Sequence, residues 1–97
     1  MNQSDKLKFA YVDLELMSVG FITCKEISKT FGVSLRTATN VISKYNVLNA
    51  SAMRYSNTAM QYQKTPVFKP LIVKAGDISA SINFFEQYKQ LIGQTND

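Results

Sequence analysis

Between Thr23 and Tyr45 the chain sets two short helical patterns on either side of one glycine, a spacing that leaves few folds open. Thr23-Cys24-Lys25-Glu26 has the form of a capping box, in which a threonine hydroxyl and a glutamate three residues later satisfy each other's free amides. Ile27 and Phe31 define one apolar face, and Gly32 stops this helix after about two turns. Ser34 then suits an N-cap, followed by a stripe of Leu35, Ala38, Val41, Ile42 and Tyr45 at spacings of three and four. The second helix is expected to run from Leu35 to Tyr45 and to end around Asn46, with Leu35, Ala38, Val41 and Ile42 facing the core. A supporting helix, a tight glycine turn plugged by Val33 and a second helix in this order make a helix-turn-helix. Ser28 is small where the two helices must cross closely.

The flanks complete a winged version of that motif. From Lys6 to Ser18, Leu7, Tyr11, Leu14 and Met17 recur at helical spacing with Phe9, Ala10, Val12 and Leu16 beside them, and Gly20 ends the helix. After a loop at Asn49-Ala50-Ser51, the runs Met53-Arg54-Tyr55 and Met60-Gln61-Tyr62-Gln63 alternate large and polar residues around a tip of Ser56-Asn57-Thr58. That is the pattern of a two-stranded hairpin, the wing. Pro66 and Pro70 break regular structure, so Val67 to Leu71 reads as a strap that docks Phe68 on the core. Asp77 or Ser79 can cap a last helix. The fold class is therefore mostly α with a small β-hairpin, a winged helix-turn-helix over residues 1–75 followed by a C-terminal helix over 76–97. No repeat or low-complexity tract divides the chain.

Charge adds a partner to this scaffold. The net charge is +4, but Lys25 to Lys74 holds eight basic residues against one acid, a balance of +7. Such a segment can hold phosphates and release their counterions, or it can be a solvated basic surface. With the apolar stripe turned inward, Arg36, Thr37, Thr39, Asn40, Ser43 and Lys44 face outward, Ser34 opening the helix. Arginine pairs bidentately with guanine and asparagine with adenine, while threonine touches a thymine methyl or bonds a phosphate. In the wing, Arg54 and Lys64 flank the strands and Ser56 and Asn57 lie at the tip, placed to follow a phosphate backbone or reach a minor groove. Tyr55 and Tyr62 read first as cross-strand aromatic support and second as phosphate ligands. Double-stranded DNA is the expected partner and transcriptional regulation, as a repressor, the expected function. A protein-interaction module on the same scaffold, a recombination accessory protein and an RNA binder remain alternatives.

Phe31-Gly32-Val33-Ser34 at the turn, Met53-Arg54-Tyr55-Ser56 with Tyr62 in the wing, and Thr65-Pro66-Val67-Phe68-Lys69-Pro70 after it resemble one family. It is the amino-terminal winged-helix domain of WYL-domain transcriptional repressors, including those that control bacterial phage-defence islands. The likeness spans about Lys8 to Leu71. It implies operator binding and regulation, on a phage or other mobile element. Those repressors continue into a ligand-sensing WYL domain, which Met1 to Asp97 does not contain.

The remaining chemistry is sparse. There is no histidine, and a lone Cys24 makes neither an internal disulfide nor a thiolate metal site, so no metal or cofactor is expected. The seven acids are scattered and accompany no nucleophile and base motif, so the chain is expected not to be an enzyme. Apolar runs are too short to span a membrane, and no secretory signal opens the sequence, which points to the cytoplasm. Ile78, Ile82, Phe84, Phe85, Tyr88, Leu91 and Ile92 spread around too much of the last helix for one packing surface. Ile78, Ile82, Phe85, Tyr88 and Ile92 are accordingly expected to form a homodimer interface.

Overall fold

A computed structural model of the chain describes residues 2–73. Among these residues there are three helices: α1 (Gln3–Ser18), α2 (Cys24–Phe31) and α3 (Leu35–Leu48). Three short strands, β1 (Phe21–Ile22), β2 (Met53–Ser56) and β3 (Gln61–Lys64), form one antiparallel sheet in the order β1-β3-β2. This is a winged helix, as the sequence pattern predicts. The expected C-terminal helix and its interface residues Ile78, Ile82, Phe85, Tyr88 and Ile92 lie outside the described residues.

Capping sets the helix boundaries. Asn2 accepts the Asp5 amide at 2.7 Å and starts α1 three residues earlier than the apolar spacing alone suggests. Thr23 accepts the Glu26 amide at 3.1 Å, which is the threonine half of the capping box, and Gly32 closes α2 in the left-handed region at φ 65°. Its turn is held further by the Ser28 hydroxyl, which donates to the Val33 carbonyl, so Ser28 is both small at the crossing and bonded across it. Ser34 accepts the Thr37 amide at 3.1 Å. α3 runs on past Asn46 to Leu48, where Asn49 donates its amide to the Tyr45 carbonyl at 2.8 Å.

The core gathers on α1. Phe9, Tyr11, Val12, Leu14 and Leu16 are all buried, because α2, α3, β1 and β3 pack around this helix. A helix apolar over most of its circumference is stable only when surrounded in this way. Tyr11 meets Phe31 of α2 edge-on at 5.4 Å, and Phe9 meets Tyr45 of α3 at 6.0 Å. Phe68 of the strap packs against this core, as expected.

One expectation needs correction, and two features go beyond the sequence pattern. Leu35, read as a core residue, is 56% exposed, because it opens α3 before the first turn reaches the core. Residues 21 and 22, to which the sequence patterns assign no element, form β1 and pair with Gln63 and Tyr62. Only tertiary contact makes so short a strand. Asp13, counted among the scattered acids, is fully buried. Its Oδ1 accepts the Tyr45 hydroxyl and the Leu71 amide, and its Oδ2 accepts the Ile72 amide at 2.6 Å and the Val73 amide at 2.9 Å. Among the described residues no basic side chain pairs with it. A buried carboxylate is tolerable only when its oxygens are satisfied, and here donors converge on both.

Asp13→Asn keeps the shape but turns an amide donor toward backbone donors. It is expected to cost about 3 kcal/mol, lowering Tm by roughly 15 °C in thermal unfolding followed by circular dichroism. Burial pushes the Tyr11 and Tyr45 hydroxyls well above the usual tyrosine range, and for Tyr45 the Asp13 carboxylate adds to the effect. The fold therefore keeps two protons that the unfolded chain releases near pH 10. Stability is complete below that pH and falls above it, by about 1.4 kcal/mol per pH unit for each tyrosine. Urea midpoints compared between about pH 9 and about pH 11 check this, the higher pH giving the lower midpoint.

Candidate nucleic-acid interface

α3 turns Ala38, Val41, Ile42 and Tyr45 into the core and leaves Ser34, Arg36, Thr37, Thr39, Asn40, Ser43 and Lys44 exposed, as the spacing predicts. Their hydrogen bonding sorts them. Thr37 exchanges bonds with the Ser34 cap, its hydroxyl accepting from Ser34 Oγ at 3.1 Å. The Thr39 hydroxyl donates to the Leu35 carbonyl at 2.9 Å and lies 3.7 Å from Cys24 Sγ at the start of α2. Lys44 leans toward α1, with Nζ 3.7 Å from Asp5 Oδ2. That pair is exposed and worth little, so it shares the lysine's charge without fixing it. The side chains of Arg36, Asn40 and Ser43 have no hydrogen-bond or ion-pair partner among the described residues. At spacings of four and three they share one face of α3, opposite the core.

The wing follows that helix in the chain. Arg54 pairs with Gln63, Tyr55 with Tyr62 and Met53 with Lys64 across the β2-β3 ladder. Pleating puts Met53, Tyr55, Tyr62 and Lys64 on one face and Arg54, Ser56, Gln61 and Gln63 on the other. Met53 is buried, so the tyrosine face turns toward the core, and the rings of Tyr55 and Tyr62 meet at 4.9 Å and 66°. Burial, with smaller contributions from Cys24 and Tyr55, raises the Tyr62 hydroxyl above its ordinary range. Arg54 and Lys64 start from opposite faces. Both are exposed and border one open cleft of about 400 Å³ with Ser56, Gln63 and Thr65.

The tip departs from its expected form. The turn spans residues 57–60, with Met60 at φ 56° donating its amide to the Ser56 carbonyl at 2.7 Å. Ser56 closes β2, and its hydroxyl oxygen accepts the Ala59 amide at 3.1 Å. It caps the turn, whereas Asn57 is exposed at the tip. Two features escaped sequence reasoning: Leu35 extends the exposed face at the start of α3, and Lys25 is exposed in the first turn of α2. The signal for Leu35 was its place directly after the cap, where helical periodicity says nothing about depth.

A short supporting helix, a bonded glycine turn, a second helix with a free polar face and a basic hairpin after it define a winged helix-turn-helix of the DNA-binding regulator class. Within that class the chain belongs to the family of the BrxR transcriptional regulator winged helix-turn-helix domain, whose model matches residues 4–90. The turn, wing and strap motifs in the sequence thus pointed to the right kind of protein. No curated protein matches the chain as a relative. None of the helices among the described residues is long and apolar enough to cross a membrane, and those residues hold no cluster of metal-ligating side chains.

Proposed function

We propose that this chain is a sequence-specific binder of double-stranded DNA that acts as a repressor, on a phage or other mobile element, in the cytoplasm, as a homodimer and without catalysis. The observation that carries the reading is the row of Arg36, Asn40 and Ser43 on α3, exposed, free of partners among the described residues and opposite the core. Arg36 is suited to guanine and Asn40 to adenine. The hydroxyls of Ser34, Thr37, Thr39 and Ser43, with Lys44, serve neighbouring phosphates. Arg54 and Lys64 anchor the wing on the backbone, with Asn57 at its tip. A second reading, a protein-interaction module, is favoured by Val47 and Leu48. They stand exposed at the end of α3 beside Phe9 and the Asp5–Lys44 pair.

Titration of labelled generic duplex at two salt concentrations decides between them, since phosphate neutralisation makes affinity fall as salt rises. An affinity indifferent to salt would overturn the DNA reading. Within the site, Asn40→Ala is expected to relax base preference at one position, whereas Lys64→Ala weakens binding to all sequences and lowers the salt slope by about 1. Equal losses on cognate and random DNA for Asn40→Ala would show that it reads no base.

The homodimer rests on the sequence of the last segment, where Ile78, Ile82, Phe85, Tyr88 and Ile92 offer more apolar surface than one domain face uses. Two-fold pairing would set two copies of α3 about 34 Å, or a multiple of it, apart on DNA and imply an inverted-repeat operator. Light scattering at micromolar concentration should give twice the chain mass, and either Phe85→Glu or Tyr88→Glu should reduce it to one. A single-chain mass throughout, with footprints over one unrepeated half-site, counts against the dimer.

A further inference from the structure

Leu35 is an exposed apolar side chain on an otherwise polar surface. It is the first residue of α3, 56% exposed, flanked by Ser34 and Arg36 and followed one turn later by Thr39. The Thr39 hydroxyl donates to the Leu35 carbonyl, and the i, i+4 spacing stacks the two side chains on one edge of the helix, with Ser43 next in line. Thr39 in turn lies 3.7 Å from Cys24 Sγ, so this edge borders the N-terminal turn of α2, where Lys25 is exposed. In a helix-turn-helix the first turns of the second helix approach the base edges while the supporting helix meets the backbone. Leu35 therefore stands at the end of α3 that goes deepest into the groove. The core does not account for it. Ala38, Val41, Ile42 and Tyr45 are at most 4% exposed and fill the inward face without it.

We infer that Leu35 is a specificity-determining residue that packs on the 5-methyl group of a thymine at the floor of the major groove. This rests on the DNA reading given above and adds to it a chemical preference that the polar residues do not supply. Among the four bases only thymine presents a methyl group in the major groove, and a leucine side chain has no hydrogen-bonding atom with which to read the donors and acceptors of any other edge. The neighbours fit that geometry: Arg36 is placed for an adjacent guanine and the Ser34 cap for the flanking phosphate. Contact with one methyl group is worth about a fourfold difference in affinity, the burial of a single carbon.

The experiment begins with the full chain and a pool of random duplexes, from which a tightly bound duplex is selected and sequenced. Each thymine is then replaced in turn by deoxyuridine, which removes the methyl group and keeps the pairing. One position in each half-site is expected to weaken the protein about fourfold when demethylated. Leu35→Ala is expected to bind the thymine and deoxyuridine duplexes equally, with an unchanged circular dichroism spectrum because the side chain is exposed. Leu35→Met, which remains apolar, should keep the discrimination. A bound duplex in which no thymine methyl matters, or a methyl effect that survives undiminished in Leu35→Ala, overturns the assignment while leaving the DNA reading intact. Failure to select any duplex overturns both.

Discussion

The carboxylate of Asp13 is the interaction on which the arrangement of the elements depends. It lies fully buried in the middle of α1 and accepts from the Tyr45 hydroxyl and from three successive amides at Leu71, Ile72 and Val73. One side chain thus joins the first helix, the third helix and the strap that leaves the wing. Asn49 extends the junction by donating to the Tyr45 hydroxyl at 3.1 Å and to the Lys69 carbonyl at 2.8 Å. Inside a protein such a network is strong when complete and costly when a member is missing. It thereby favours one orientation of α3 on α1.

That orientation matters because α3 is the element with the free polar face. Tyr45 presses its ring on Phe9 and its hydroxyl on Asp13, so the side of α3 opposite Arg36, Asn40 and Ser43 is bound at both an apolar and a polar contact. From the other end, the Ser28 hydroxyl and the left-handed Gly32 fix the turn by which α2 delivers the chain to Ser34. The wing is attached separately, through β1 pairing with β3 and through the Thr65 amide bonded to the Ala52 carbonyl at 3.0 Å. Helix and hairpin are two surfaces carried on one core, the helix through Tyr45 and the hairpin through Met53 and the pairing of β3 with β1.

Much of this was legible in the residues. Helix starts at Thr23 and Ser34 and stops at Gly20 and Gly32 follow from local chemistry that operates within a few residues, so they needed no knowledge of the fold. The outward set on α3 followed from periodicity in the same way. The places where reading failed share a different character. Leu35 fits the apolar stripe but lies beyond the edge of the core, and Ser56 looks like a loop residue free to reach a ligand but spends its hydroxyl on its own turn. Residues 21 and 22 become a strand only because β3 comes alongside.

By itself, then, the sequence determined that the segments of α1, α2 and α3 are helical, where α2 begins and ends, where α3 begins, and that a hairpin carrying Arg54 and Lys64 follows. The interactions responsible act over one to four residues and are written in adjacent letters. Only the tertiary structure decided how deep each side chain lies and which distant groups share a bond. Asp13 and the amides of 71–73 are nearly sixty residues apart. No local pattern distinguishes a carboxylate that will be solvated from one on which the chain will close.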